Sequence, residues 1–368
     1  MTWPTLKLSP MTTISPSRFD SIQKCPLREV WAAGRAKGLV PSSPSAFLGS
    51  VVHRVIEEAM LGTEQNLGQV FEDFASAADD RLRKDPIHRR WVPLSAHAPD
   101  YAEMRRRAIE RAQAATQKPE ARAAPTRRRT GPEVRVSARG GKVRGSIDEV
   151  DLSGGRVVLR DLKTGNIRKS GTAMPEPKLA YAKQLRMYAA MYEEDIEISD
   201  GKWPDYLELV PLYGPPLAVP YEHAECTALL DQAVETLAAI NRTIESHDNS
   251  EAEKLLARPA PDTCRWCPYR PACSEYRNAS VTIDNPAWPP DVWGIVVDKV
   301  LKGNGTLSIS LRRGEELYRV RDIPPTPAIH PALEELRLGK WVAFFGLIRS
   351  RTAETFAAGA FTVIHLLE

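Results

Sequence analysis

The chain has 368 residues, 42% of them hydrophobic and 26% charged, with a net charge of only +3. That length suffices for two domains at roughly 100–200 residues each, and the composition excludes collagen-like, disordered and membrane-embedded classes. The longest apolar stretch, at 341–348, falls far short of the roughly 18 residues a bilayer span needs, and the opening MTWPTLKLSP has no apolar signal core, so a cytoplasmic protein without membrane contact is expected. Charge is unevenly spread. Residues 101–145 hold 13 Lys or Arg against four Glu, a local excess of nine that leaves −6 for the rest of the chain. Such a segment is either a polyanion footprint or a solvated helix face followed by a loop.

In chain order, Ser15-Pro16-Ser17-Arg18-Phe19 reads as a cap leading into a short helix that carries Cys25. A second helix, 47–60, places His53 and Glu57 one turn apart. Helical periodicity continues over 67–118, broken at Asp85-Pro86 and His97-Ala98-Pro99, and a Pro/Arg-rich loop follows at 125–132. The stretch 67–130 is expected as a helical insertion. Strand patterns then occupy 133–137, 142–152 and 156–163, followed by a helix at 177–194, a strand at 206–212 and a long helix at 224–246. The order is that of an αβββαβα core. Pro286, Pro289 and Pro290 mark a linker, which divides the chain into domains at 1–280 and 281–368. Beyond it come strands near 292–301, 306–311 and 316–320, a short helix at 331–338, and strands near 341–349 and 360–366. That order resembles an OB-fold, a five-stranded barrel widely used for single-stranded nucleic acid. The alternative is a small β-barrel with a structural or protein-docking role.

The most informative stretch is the hairpin at 145–165. Taking Gly154-Gly155 as a two-residue loop sets Ser153 across from Arg156 and, further along, Asp148 directly across from Asp161, with Lys163 two residues on and on the same face. Opposed side chains have β-carbons only about 4.5–5.5 Å apart, and like charges at that distance destabilise a sheet. A hard divalent cation held by oxygen ligands removes the conflict, and the amine of Lys163 is then placed to orient or help deprotonate an attacking water.

Five cysteines, an odd number, argue against a disulfide framework. Cys264, Cys267 and Cys273 form a C-x2-C-x5-C cluster whose thiolates would repel and oxidise unless they shared a metal, and a fourth ligand is then required. Zinc and a 4Fe-4S cluster both take four Cys, and thiol chemistry alone does not separate them. Cys226, on the 224–246 helix, reads as a packed thiol.

Ile147-Asp148 with Asp161-Leu162-Lys163 resembles the PD-(D/E)xK nuclease signature. His53 in Gly49-Ser50-Val51-Val52-His53, Glu133, Asp148, Asp161 with Lys163, and Gln184 with Tyr188 follow the order and approximate spacing of RecB-family nucleases, which include the AddB nuclease domain and the CRISPR-associated iron–sulfur exonucleases. The resemblance covers 14 to about 277. It implies a restriction-endonuclease-like mixed sheet flanked by helices, an α/β fold, with the OB-like barrel appended. It also implies a catalytic set of Asp148, Asp161, Lys163, Glu133, Gln184 and Tyr188. It further implies that His53, Asp148 and Asp161 hold Mg2+ or Mn2+ and that the Gln184–Tyr188 pair positions substrate. The iron–sulfur members place one Cys before the core and three after it, which singles out Cys25 as the fourth ligand of a 4Fe-4S cluster and favours iron over zinc. Arg265, Trp266, Tyr269 and Arg270, between those ligands, are then candidates for contact with a DNA strand.

The expected activity is metal-dependent hydrolysis of DNA phosphodiesters, exonucleolytic on single strands, in repair, recombination or defence. Two alternatives stand beside it: a non-cleaving DNA-binding subunit that keeps the fold, and the nuclease arm of a helicase–nuclease or defence assembly. The sequence contains no GxxxxGK[ST] motif, so any ATP-driven unwinding falls to a helicase partner.

Overall fold

The computed structural model describes residues 2–62, 66–116, 130–168, 176–280, 286–352 and 354–368. Proline punctuates the first elements. Helices α1 (Pro16–Lys24) and α2 (Pro26–Ala33) each begin on a proline, whose missing N–H costs nothing in a first turn. Pro26 cannot extend α1, so Cys25 lies at the junction of the two helices rather than within one, a correction to the expected single helix. Helix α3 (Pro44–Met60) starts three residues earlier than its periodicity suggests, because Pro44 fits the first helical position and the Ser43 hydroxyl accepts from the Ser45 N–H.

The described part of the 67–130 stretch holds three α-helices: α4 (Leu67–Arg83), α5 (Leu94–His97) and α6 (Tyr101–Thr116). Asn66 caps α4 by accepting from the Gln69 N–H at 3.1 Å. Much of the basic segment's charge is neutralised locally. Arg105 pairs with Glu72, Arg106 with Glu103 and Glu110, Arg107 with Glu103, and Arg139 with Glu194 and Asp231. The solvated-face reading therefore describes these arginines better than a polyanion footprint. Lys118, Arg122, Arg127, Arg128, Arg129 and most of the Pro/Arg loop lie outside the described residues.

Strands β1 (Gly131–Ala138), β2 (Val143–Asp151) and β3 (Val158–Lys163) form an antiparallel meander. Helices α7 (Leu179–Glu194) and α8 (Ile196–Ser199) then lead to β4 (Tyr206–Pro211), parallel to β3, and β5 (Leu217–Ala218) closes a sheet of order β1-β2-β3-β4-β5. Helices α9 (His223–Ser246), α10 (Asn249–Leu256), α11 (Pro261–Arg265) and α12 (Ser274–Ala279) complete this part.

The sheet separates two cores. Leu159, Leu207 and Leu209 join the cluster containing α1, α2, α7 and α9, whereas Leu162, Val210 and Leu212 join the one built from α3, α4 and α6. Near-continuous apolar runs in β4 reflect burial on both faces.

The C-terminal region holds β6 (Val292–Leu301), β7 (Leu307–Arg313), β8 (Glu316–Ile323), β9 (Trp341–Phe345), β10 (Ile348–Arg349), β11 (Thr355–Ala357) and β12 (Val363–Leu367), in the order β10-β11-β8-β7-β6-β9-β12. The chain from β9 into β10 pairs with β6 at one end of the order and with β11 at the other, so the sheet curls upon itself. The expected strand at 341–349 is broken at Gly346. Its φ is +72°, and a β-carbon there would lie 2.5 Å from the Phe361 carbonyl, so only glycine fits. The expected helix at 331–338 is reduced to a 3-10 turn, Pro331–Leu333, with Leu333 and Leu336 reaching the interior. Among the described residues no helix is long and apolar enough to cross a membrane.

Candidate active site

Gly154 and Gly155 both adopt left-handed backbone, with φ of 66° and 72°, as a tight turn demands. The connection is nevertheless wider than two residues, since the ladder closes at Asp151 opposite Val158. The cause is local competition for N–H groups: Asp151 Oδ1 accepts from Ser153 N at 2.9 Å, and Asp205 Oδ2 accepts from Val157 N at 2.7 Å. The register is unchanged by this. Glu149 pairs with Arg160 and Val150 with Leu159, which sets Asp148 across from Asp161 as the hairpin arithmetic requires.

At that point the ladder stops. Asp148 Oδ2 accepts the Leu162 N–H at 2.6 Å, so a carboxylate replaces a ladder carbonyl where β2 and β3 diverge. Opening the sheet here lets helices from both faces reach the same spot. From α3 comes His53, whose Nδ1 lies 3.9 Å from Asp148 Oδ2. From α7 comes Gln184, whose amide donates to Asp161 Oδ1 at 2.7 Å and whose Oε1 accepts from Lys163 Nζ at 3.0 Å. Lys163 Nζ also lies 2.8 Å from Asp161 Oδ2 and 4.9 Å from the centre of the Tyr181 ring, a cation–π contact.

Burial sets the electrostatics. Asp161 is 2% exposed. Desolvation pushes its carboxyl above the usual carboxylate range and Asp148 adds repulsion, with Lys163 pulling the other way. Burial likewise raises Asp148, against the Leu162 N–H and Lys163, with Glu133 and Glu57 adding to the rise. Desolvation and the Lys163 charge push His53 below its ordinary value, so its imidazole is neutral and has a lone pair to offer a cation. Burial raises Tyr188, with the neighbouring Gln184 pulling the other way.

The residues expected at the site are thus brought together. Pro132 pairs with Glu149 and Val134 with Ile147, so Glu133 falls opposite Asp148, in left-handed backbone at φ +52°. Glu57 and Arg111 line a cavity of about 30 Å³ together with His53, Glu133 and Asp148. The spacing of His53 and Glu57 put Glu57 on the same helix face, but nothing local signalled Arg111, which arrives from the insertion on α6.

The chemistry of this donor set fits a hard divalent ion: two carboxylates, a third acid beside them and a neutral imidazole. One observation points the same way. Asp161 Oδ2 is fully buried, and among the described residues only the Lys163 ammonium, 2.8 Å away, meets its charge. Among the described residues no three His, Cys, Asp or Glu side chains already stand as a coordinating group, here or at the thiols.

Cys25, Cys264, Cys267 and Cys273 are buried and free. Burial raises the Cys264 thiol to about 11 and those of Cys267 and Cys273 to about 12, and each also feels the charge of Cys25. Four thiols near enough to repel one another fit a shared thiophilic centre, and the Tyr276 N–H, donating to Cys273 Sγ at 3.3 Å, suits a thiolate. Cys226 is buried in α9 among apolar residues, as a packed thiol should be. Two of the four candidates for contact with a DNA strand are not free to make it: Tyr269 is buried, and Arg270 is committed to Asp291 at 2.6 Å.

No curated protein matches the chain. Among solved structures, that of the tetrameric p202 HIN2 aligns at 12% identity with a TM-score of 0.18, over 22% of this chain and 42% of that one, so less than half of the p202 HIN2 chain is spanned. A family profile, by contrast, matches residues 13–274, a range that encloses the opened sheet, both flanking helix layers and all four clustered cysteines. The chain belongs to the PD-(D/E)XK nuclease superfamily.

Proposed function

We propose that this protein is a divalent-metal-dependent DNA nuclease of the RecB type, acting exonucleolytically on single strands. The observation that carries the reading is Asp161, a buried carboxyl set opposite a second, half-buried acid and in contact with a lysine. His53, Asp148 and Asp161 would hold Mg2+ or Mn2+, which when bound polarises the phosphate and acidifies its water. Lys163 is held by Gln184 and Asp161, so its ammonium is fixed where it can orient the attacking water and meet negative charge growing on the phosphate. Gln184, locked between Asp161 and Lys163, keeps both in place, and Tyr188 braces Gln184.

The four clustered thiols support a 4Fe-4S centre that ties the first 33 residues to the segment near 270, closing a loop of about 240 residues. The curled C-terminal sheet supports an OB-like unit, and the domain boundary near 280 belongs to the same reading. A cytoplasmic setting and a helicase or defence partner complete it.

Digestion of end-labelled single- and double-stranded DNA with Mg2+, Mn2+ or EDTA tests the activity. Wild type should cleave only with metal, and Asp161→Ala should lose at least about 1,000-fold in rate, while still binding single strands. Cleavage by Asp161→Ala at the wild-type rate would reject the site. For the thiols, anaerobically purified protein should be brown and lose its colour in Cys267→Ser; a colourless, zinc-loaded protein rejects iron.

A further inference from the structure

A second cleft lies away from the carboxylates. It encloses about 510 Å³ between the cysteine-bearing segment around 266, the N-terminal end of α3 and the Gly346–Arg349 edge of the C-terminal sheet. Its walls are largely apolar, with Pro41, Pro268, Pro289 and Pro290 among them. On its rim Trp266 is 69% exposed, an uncommon state for the largest side chain, and Phe361 is 37% exposed. Among the described residues, the lining includes Arg265, Arg270 and Arg349 and no carboxylate. Arg270 is neutralised by Asp291, whereas Arg265 is exposed and, among the described residues, has no acidic partner.

A flat aromatic ring and an uncompensated cation beside an apolar trough are what a nucleobase and its phosphate require. The position matters as much as the chemistry. Ser42 and Ser43, in the cleft wall, lead directly into α3, on which Ala46, Gly49 and His53 share one face. Gly49 packs against Thr164, the neighbour of Lys163, where a β-carbon would come 3.0 Å from the hydroxyl. Nine residues at about 1.5 Å each separate Pro44 from His53, so the cleft opens about 14 Å along the helix from the imidazole.

We propose that this cleft is a binding site for single-stranded nucleic acid, in which Trp266 stacks on a base and Arg265 meets the adjoining phosphate, holding the strand several nucleotides from the bond to be cut. The proposal rests on the nuclease reading for its purpose but not for its test. Binding of fluorescein-labelled dT20 to the full chain, purified anaerobically and assayed without divalent cations, measures it directly. Trp266→Ala should weaken affinity about 5- to 150-fold, the range expected for one stacked base, and Trp266→Phe should restore most of it. Arg265→Gln should lower the slope of log affinity against log salt by about 0.7. Equal affinity of wild type and Trp266→Ala for dT20 overturns the assignment, as does a cleft that captures a partner protein while dT20 binding is unaffected by either substitution. Failure of the nuclease reading is separate and visible elsewhere: wild type would leave DNA intact in Mg2+ and Mn2+, whatever Trp266 contributes to affinity.

Discussion

Asp161 shows how much one position can be asked to carry. Its strand neighbours Leu159 and Leu162 are buried in different cores, so a carboxyl between them loses nearly all contact with water. Its charge is compensated only in part by Lys163, and the repulsion from Asp148 holds its proton on above the ordinary carboxylate value of about 4. The sign of the pH effect follows. A raised carboxyl, pushed by burial to about 7, still holds its proton at lower pH in the metal-free protein, and a cation must displace it, so metal affinity rises as pH climbs toward that value and binding releases protons below it. Titration of Mg2+ by calorimetry in two buffers of different ionisation heat should detect that release in wild type, reduced in Asp161→Ala. Identical heats in both buffers would mean the acids are already ionised. The residue types were legible from the Asp-x-Lys spacing. Burial of Asp161 was not, because it depends on helices more than twenty residues away.

At the scale of elements, the meander succeeds through a mixture of register and interruption. The pairing of β2 with β3 follows from the two glycines, whereas the loss of ladder bonds at Asp148 comes from its side chain competing for the Leu162 N–H. On the other side of β2, Gly145 accommodates α7. A β-carbon at Gly145 would lie 2.7 Å from Tyr188 Cε1 and 3.1 Å from both the Tyr188 hydroxyl and Pro16 Cδ. Gly145→Ala should therefore destabilise by about 1–3 kcal/mol, as overpacking does. It should also displace Tyr188 from Gln184 and lower cleavage more than stability loss explains. Thermal melts together with rates measured well below the melting temperature separate the two effects, and an unchanged melt would show that the ring has room to move. Gly145 stood at the start of the hairpin stretch, but only the approach of α7 reveals why no side chain fits there.

In the molecule as a whole, the C-terminal sheet is fastened to the rest by buried polar contacts. Asp291 accepts from Arg270 at 2.6 Å, from the Tyr276 hydroxyl at 2.6 Å and from the Gly346 N–H at 2.7 Å. Arg90, from the insertion, donates to the carbonyls of Thr362 at 2.6 Å and Ile329 at 3.1 Å, and His365 Nε2 lies 2.9 Å from the Leu39 carbonyl. Trp293, Phe345 and Val363 extend the larger core across the same junction. Removing one partner of a buried ion pair leaves the other charge stranded, so Asp291→Ala should cost about 3–5 kcal/mol. A urea titration measures it, and a loss below about 1 kcal/mol would mean that water relieves Arg270. Asp291→Asn should cost less, since its one amide oxygen can still accept from the Gly346 N–H.

Local sequence determined the elements and much of the chemistry. Proline and glycine set the helix starts and the turn, hydrophobic period distinguished helix from strand, and two glycines placed one acid opposite another, because each of these depends on backbone geometry within a few residues. The shortened turn at Pro331 and the strand broken at Gly346 escaped it, since each is decided by what packs against it. Only the tertiary structure brought His53, Gln184, Glu57 and Arg111 to one opening in the sheet, buried Tyr269 and Arg270, and left Trp266 on the rim of a cleft. Desolvation and proximity arise between segments far apart in the chain, and no local pattern encodes how deeply a given side chain will lie.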